Sequence, residues 1–181
     1  MKLLAIDTSG EACSAALLLD SEVRQRLSRQ ARRHGELILG MMDDLLAEAH
    51  IRLRELDALA FGRGPGSFTG VRIATAVVQG AAFGADLPVV PVSTLAALAQ
   101  GHHRAAGHNR CLPAFDARMG ELYWGCYVLD DAGLMQAVAE DQVGTPEDVV
   151  LPTGDAWHGV GSGWAVHGEV LRRRLGPHLS G

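Results

Sequence analysis

No hydrophobic run in this sequence approaches the roughly 20 residues that a membrane-spanning helix needs. The opening segment reaches Asp7 too soon for the apolar stretch of a secretory leader, so none is expected. A basic surplus is missing as well. Lys and Arg number 16 against 21 Asp and Glu, a net charge of −5. That argues against a chain built to hold nucleic acid on its own, although a partner could hold it. Cysteine is scarce. Cys13, Cys111 and Cys126 are odd in number, far apart and set in apolar sequence. With no CxxC pair there is no zinc knuckle, and reduced, partly buried thiols in a cytosolic protein are expected.

The common catalytic patterns are absent too. No glycine loop ends in the Lys-[Ser/Thr] of a P-loop or carries the spacing of a dinucleotide fingerprint. There is no Gly-x-Ser-x-Gly elbow, and no cysteine sits in a Cys/His signature. The adjacent acids Asp43-Asp44 and Asp130-Asp131 read as solvent-facing pairs rather than an acid/base couple.

What remains is an ordinary globular composition, 48% hydrophobic and 20% charged over 181 residues. It suffices for one good core or two small lobes. Strands are expected over 2–6, 12–19 and 22–27, a meander joined by polar turns. A helix over 33–49 follows, with Leu37, Ile38, Met41, Leu45 and Ala49 on one face and Met42 and Leu46 widening it. So broad a stripe fits a deeply buried helix, or one that packs its own sheet on one side and a second chain on the other. Arg24, Arg26, Arg29, Arg32 and Arg33 form a basic cluster at its approach. They read as a solvated face paired with Asp43, Asp44 and Glu48, or as a docking patch for an acidic partner or tRNA phosphate.

The most informative stretch is Gly62-Arg63-Gly64-Pro65-Gly66-Ser67-Phe68-Thr69-Gly70-Val71-Arg72-Ile73. It follows the apolar strand 59–61 and opens a helix over 69–84, so it reads as strand, tight loop and helix start. Ser67 or Thr69 can cap the helix, and its N-terminus could sit beside an anion. Gly70 and Ala74, then Ala76, Gly80 and Gly84, recur at four-residue spacing. A helical glycine costs about 1 kcal/mol against alanine. Its presence points to close helix approach, within the chain or between subunits. A strand over 87–92 and a helix over 94–101 complete the order β-β-β-α-β-α-β-α. Residues 101–109, with His102, His103 and His108, read as a polar hinge. Strands over 112–116, 122–129 and 134–139, a helix start at 145–148, a strand and glycine turn over 160–164 and a short helix over 169–175 follow. The pattern gives a mixed α/β chain, with lobes at 1–100 and 101–181.

The wording of the glycine loop, from Gly64 to Ile73, closely resembles the signature of the TsaB (YeaZ) family. So do Leu4-Ala5-Ile6-Asp7-Thr8-Ser9, His34-Gly35-Glu36, Pro91-Val92-Ser93-Thr94-Leu95 and the segment from Phe115 to Tyr123. Five segments in order, spanning residues 1 to 164, make the resemblance specific. It implies an actin-like ATPase (ASKHA) fold of two lobes, each a mixed β-sheet with packed helices. Family members run further than Gly181, so a second lobe that is either naturally short or cut is expected. It also implies a non-catalytic cytoplasmic subunit that pairs with TsaD, the enzyme transferring a threonylcarbamoyl group to N6 of adenosine 37 in tRNA. TsaE is expected in the complex, tRNA only through the complex, and a homodimer when the partner is absent. The resemblance places the partner interface on the helices 33–49 and 69–84, at Leu37, Met41, Leu45, Thr69, Arg72, Ile73, Ala76 and Gly80.

Catalytic relatives hold ATP between two phosphate loops and a metal on a His-x-x-x-His. Asp7, Thr8 and Ser9 match the first loop as a vestige, or form an Asp-initiated hairpin turn. The second opens with Asp116, Arg118 and Met119 where paired glycines stand in the relatives. The two metal histidines correspond to Thr94 and Leu98. No metal ligand set and no ATP are therefore expected on this chain alone, both belonging to partner subunits. His102, His103 and His108 read as solvated polar residues, with metal ligation the lesser alternative because the i, i+1 spacing points the first two apart. The glycine turn Gly161-Ser162-Gly163 reads as a turn or the lining of an adenosine pocket. The rival reading is a stand-alone actin-like enzyme, a metallopeptidase or small-molecule kinase; another is a filament-forming actin-like protein.

Overall fold

The computed structural model describes residues 1–30, 33–152, 154 and 156–180. It contains two compact units, Met1–Ser93 and one opening at Thr94. Among the described residues no helix is long and apolar enough to cross a membrane.

In the first unit β1 (Lys2–Asp7), β2 (Cys13–Leu19) and β3 (Glu22–Ser28) form the expected antiparallel meander. After α1 (His34–Glu48), β4 (Ala58–Gly62) joins β1 in parallel. After α2 (Phe68–Ala85), β5 (Val89–Val92) joins β4, giving the order β3-β2-β1-β4-β5. Alternate strand residues share a face, so Leu17, Leu4 and Leu59 line up across three neighbouring strands, all buried. Ile38, Met42, Leu45 and Leu46 of α1, and Gly70, Ala74, Val78 and Ala82 of α2, close the core over them.

The basic cluster is largely paired. Arg24 pairs with Glu22 at 2.9 Å, Arg26 with Glu48, and Arg33 with Glu36 at 2.8 Å. Glu48 is the expected acid, whereas Glu22 and Glu36 take the places foreseen for Asp43 and Asp44. Their closeness in sequence to the arginines explains this. Arg32 lies outside the described residues.

The second unit opens with α3 (Thr94–Ala106), which runs past Gly101. The stretch 101–109 is thus mostly helix, not a hinge, and the division falls at Ser93 rather than residue 100. Gly107, at φ +75°, ends α3, its N–H donating to His103 O at 2.7 Å. A left-handed residue at this place satisfies the last open carbonyls.

β6 (Arg110–Arg118) is the spine of a mixed sheet. β7 (Glu121–Trp124) and β8 (Tyr127–Leu129) are one strand in sequence terms, broken at Gly125-Cys126. β9 (Met135–Ala137) pairs with β8, and β10 (Gln142–Gly144), which sequence reasoning missed, pairs with β7. β11 (His158–Val160) pairs in parallel with β6. The segment 145–148 makes only a short 3-10 turn, closed by the Asp148 carboxylate accepting from Thr145 N–H at 2.9 Å.

The last helix, α4 (Ser162–Leu175), starts well before the expected residue 169. Gly161 and Gly163 are the reason. A Cβ on Gly163 would lie 2.8 Å from Ala114 Cβ, and one on Gly161 would collide with the Ala114 carbonyl. This pair lets the helix start press onto β6, so packing alone requires both glycines. Leu171 and Leu175 pack with Leu112, Trp124 and Trp157 on one side. Leu95 and Ala99 of α3 pack with Cys111 and Tyr127 on the other. All three cysteines are free and buried, as expected.

Candidate subunit interface

The glycine loop is held from below by the first hairpin. Ser67 N–H donates to Ser9 O at 2.7 Å, and Thr8 Oγ1 donates to Gly70 O at 2.6 Å. A Cβ on Gly66 would come within 2.7 Å of Ser9 O, and one on Gly70 would overlap the Thr8 carbonyl. The glycines are therefore needed for close backbone packing. Ser67 caps α2 by accepting from Gly70 N–H at 3.3 Å.

The same contacts occupy the groups that a phosphate would need. Ser9 N–H and Ser9 Oγ both donate to Asp7 Oδ1, at 2.6 and 2.7 Å. This is a side-chain-closed turn of the kind Asp favours. Thr8 and Ser9 are buried. In the second unit, Asp116 N–H donates to Ser162 Oγ at 3.2 Å, and Arg118 N–H donates to Asp116 Oδ1 at 3.0 Å. Arg118 and Met119 are both left-handed, at φ +71° and +55°.

Burial sorts the sequence-predicted contact residues. Thr69, Arg72, Ala76 and Gly80 are exposed on one stripe of α2, while Leu37, Met41 and Ile73 are half-buried between that surface and the core. Leu45 is not available: it has no exposed surface and belongs to the core. The α1 stripe is broad because Ile38, Met42, Leu45 and Leu46 face the chain's own sheet, leaving only its flank outside. Nothing lies within 4 Å of a Cβ placed on Gly80 or Gly84, so crowding within the chain does not explain these two glycines.

Two residues of this surface escaped sequence reasoning. Phe68 is 72% exposed and Phe83 is 92% exposed. The Arg72 guanidinium stacks 3.3 Å above the Phe68 ring, a favourable cation–π geometry. Phe83 flanks a shallow groove formed with Ala76, Gln79, Gly80, Asp86 and Leu87. The spacing 69, 72, 76, 80, 83 is itself a helical stripe and could have revealed Phe83.

Comparison with known proteins identifies the family. A family model described as "TsaD: tRNA N6-adenosine threonylcarbamoyltransferase" matches residues 27–159. The chain is 46% identical over 167 residues to the tRNA threonylcarbamoyladenosine biosynthesis protein TsaB of Escherichia coli, covering 91% of this chain and 72% of that protein. It is 42% identical over 184 residues to the Haemophilus influenzae protein of the same name, covering 97% and 78%. Among solved structures, YeaZ from Pseudomonas aeruginosa is similar at a TM-score of 0.90 and 48% identity, over 94% of this chain and 79% of that one.

Proposed function

Because this chain belongs to the TsaB (YeaZ) family and has its actin-like α/β fold, we propose that it serves tRNA threonylcarbamoyladenosine biosynthesis as a non-catalytic subunit pairing with TsaD. The exposed α2 stripe carries this reading. Thr69, Ala76 and Gly80 give this stripe a small-residue centre, flanked by the exposed rings of Phe68 and Phe83 and by Arg72, with Leu37 and Met41 at its margin. A surface of this kind asks for a partner, and two helix faces can approach the roughly 800 Å² per side of a standard interface.

TsaD supplies the metal and the transfer chemistry, ATP belongs to partner subunits, TsaE joins the assembly, and tRNA is met through the complex in the cytoplasm. In the absence of TsaD the same face pairs two copies of this chain. Asp7, Thr8 and Ser9 act as a structural hairpin, which their internal hydrogen bonds support.

The test is light-scattering mass and co-elution with the cognate TsaD, for wild type and Ala76→Arg. Ala76 is exposed, so the variant should fold normally. Co-elution of wild type but not of Ala76→Arg is expected. A wild type that stays monomeric and ignores TsaD would overturn the proposal.

A further inference from the structure

Three imidazoles converge in the second unit, outside everything assigned above. His102 comes from α3, His108 from the loop before β6, and His158 from β11. One ring nitrogen from each can be chosen so that all three lie within 4.8 Å of one another. The centroids of His102 and His108 are 5.1 Å apart, and those of His108 and His158 are 3.4 Å apart. His102 Nε2 is buried and has no hydrogen-bond partner, a costly state for a polar atom. The loop is held in place: the His103 ring Nδ1 bonds to His108 O at 3.1 Å, and Gly107 closes α3.

We propose that His102, His108 and His158 bind a borderline divalent transition-metal ion, with zinc as the reference ion. Imidazole nitrogen suits zinc, nickel and copper, and hard calcium or magnesium poorly. A tetrahedral ion with metal–nitrogen bonds of about 2.0–2.1 Å needs nitrogens about 3.4 Å apart. The cluster reaches this by small side-chain rotations. His108 and His158, now parallel within 8°, splay so that each ring points edge-on at the ion. The three nitrogens leave a fourth position for water or an external ligand. The ion gives His102 Nε2 its missing partner and ties α3, the loop and β11 together. This site is separate from Thr94 and Leu98, the positions where the catalytic relatives carry their metal histidines.

The experiment is calorimetric titration of the untagged, metal-stripped full chain with zinc chloride, followed by cobalt(II) titration read by visible absorption. His108→Ala and His158→Ala are the test variants, and His50→Ala, on the first unit, is the control. Wild type and His50→Ala should bind one equivalent of zinc, with cobalt bands typical of a low-coordinate nitrogen site. Loss of a mere outer-shell partner weakens metal sites about 10–100-fold, so loss of a ligand should weaken zinc at least about tenfold. His158→Asn, closer in shape, serves if the alanine variants fail to fold. No saturable binding in wild type, or equal affinity in folded variants lacking His108 or His158, would overturn the proposal. TsaD pairing is measured separately and does not bear on this outcome.

Discussion

Thr8 and Gly70, 62 positions apart in the chain, meet so closely that the Thr8 hydroxyl donates to Gly70 O at 2.6 Å and leaves no room for a side chain on Gly70. The contact joins the end of β1 to the first turn of α2. It explains a glycine inside a helix where alanine would otherwise be preferred.

Gly70→Ala should therefore destabilise the protein by about 3 kcal/mol, the upper end of ordinary overpacking costs, because backbone must move. Thr8→Val should cost about 0.5–1.5 kcal/mol by removing one buried hydrogen bond, the Gly70 carbonyl keeping its helical partner. Denaturant unfolding followed by circular dichroism measures both. Wild-type stability in Gly70→Ala would show that the loop gives way more easily than its hydrogen bonds imply.

Leu45→Ala should lose about 2–5 kcal/mol of stability through an unfilled cavity, since Leu45 is sealed in the core. Gly80→Ala should instead leave stability unchanged or raise it by about 1 kcal/mol, because its Cβ meets nothing within the chain. Thermal melts of the two side by side separate core from outer surface. A stability loss in Gly80→Ala would place that glycine inside the monomer's packing.

Isolated protein should show no shift in melting temperature with millimolar magnesium-ATP. The Ser9 N–H, Asp116 N–H and Arg118 N–H donors that could face a phosphate are already engaged. A saturable upward shift would mean that one of these loops rearranges around nucleotide.

Burial pushes the thiols of Cys111 and Cys126 up to about 11. The unfolded chain releases these protons nearer the ordinary thiol value of about 8.5. Above that point the folded state binds more protons than the unfolded one, so stability falls as pH rises toward 11. Unfolding free energies from pH 8 to 11 should show this alkaline decline, on the order of a few kcal/mol. The Cys111→Ala/Cys126→Ala variant should flatten it. An identical slope in that variant would assign the decline to other groups.

Much of the first unit was legible because its signals are local. The polar turns between the apolar runs of β1, β2 and β3, the three-and-four spacing of α1 and α2, and Ser67 before Phe68 are each read over a few neighbouring residues. The second unit was harder. Gly125 looked like one more strand residue, yet the chain breaks there, and the two halves take different outer partners, β10 on β7 and β9 on β8. Gly161 and Gly163 read as a turn, although their role is set by Ala114 of a distant strand. His108 and His158 meet only because α3 continues to Ala106 and delivers the loop to β11. On α1, periodicity put Leu37, Met41 and Leu45 on one face, but could not say which of them the sheet would cover.

The outer stripe of α2 also bears on how quickly and cheaply it can be engaged. Alanine and glycine have no rotamers to lose, whereas longer side chains forfeit up to about 2 kcal/mol each when immobilised. Across Ala76, Gly80 and Gly84 the exposed helix backbone would itself be the contact surface of the proposed pairing, already ordered before any encounter. Arg72 is likewise settled on Phe68. Association here would select by shape alone, with little rearrangement on this side and most of the adjustment left to whatever docks.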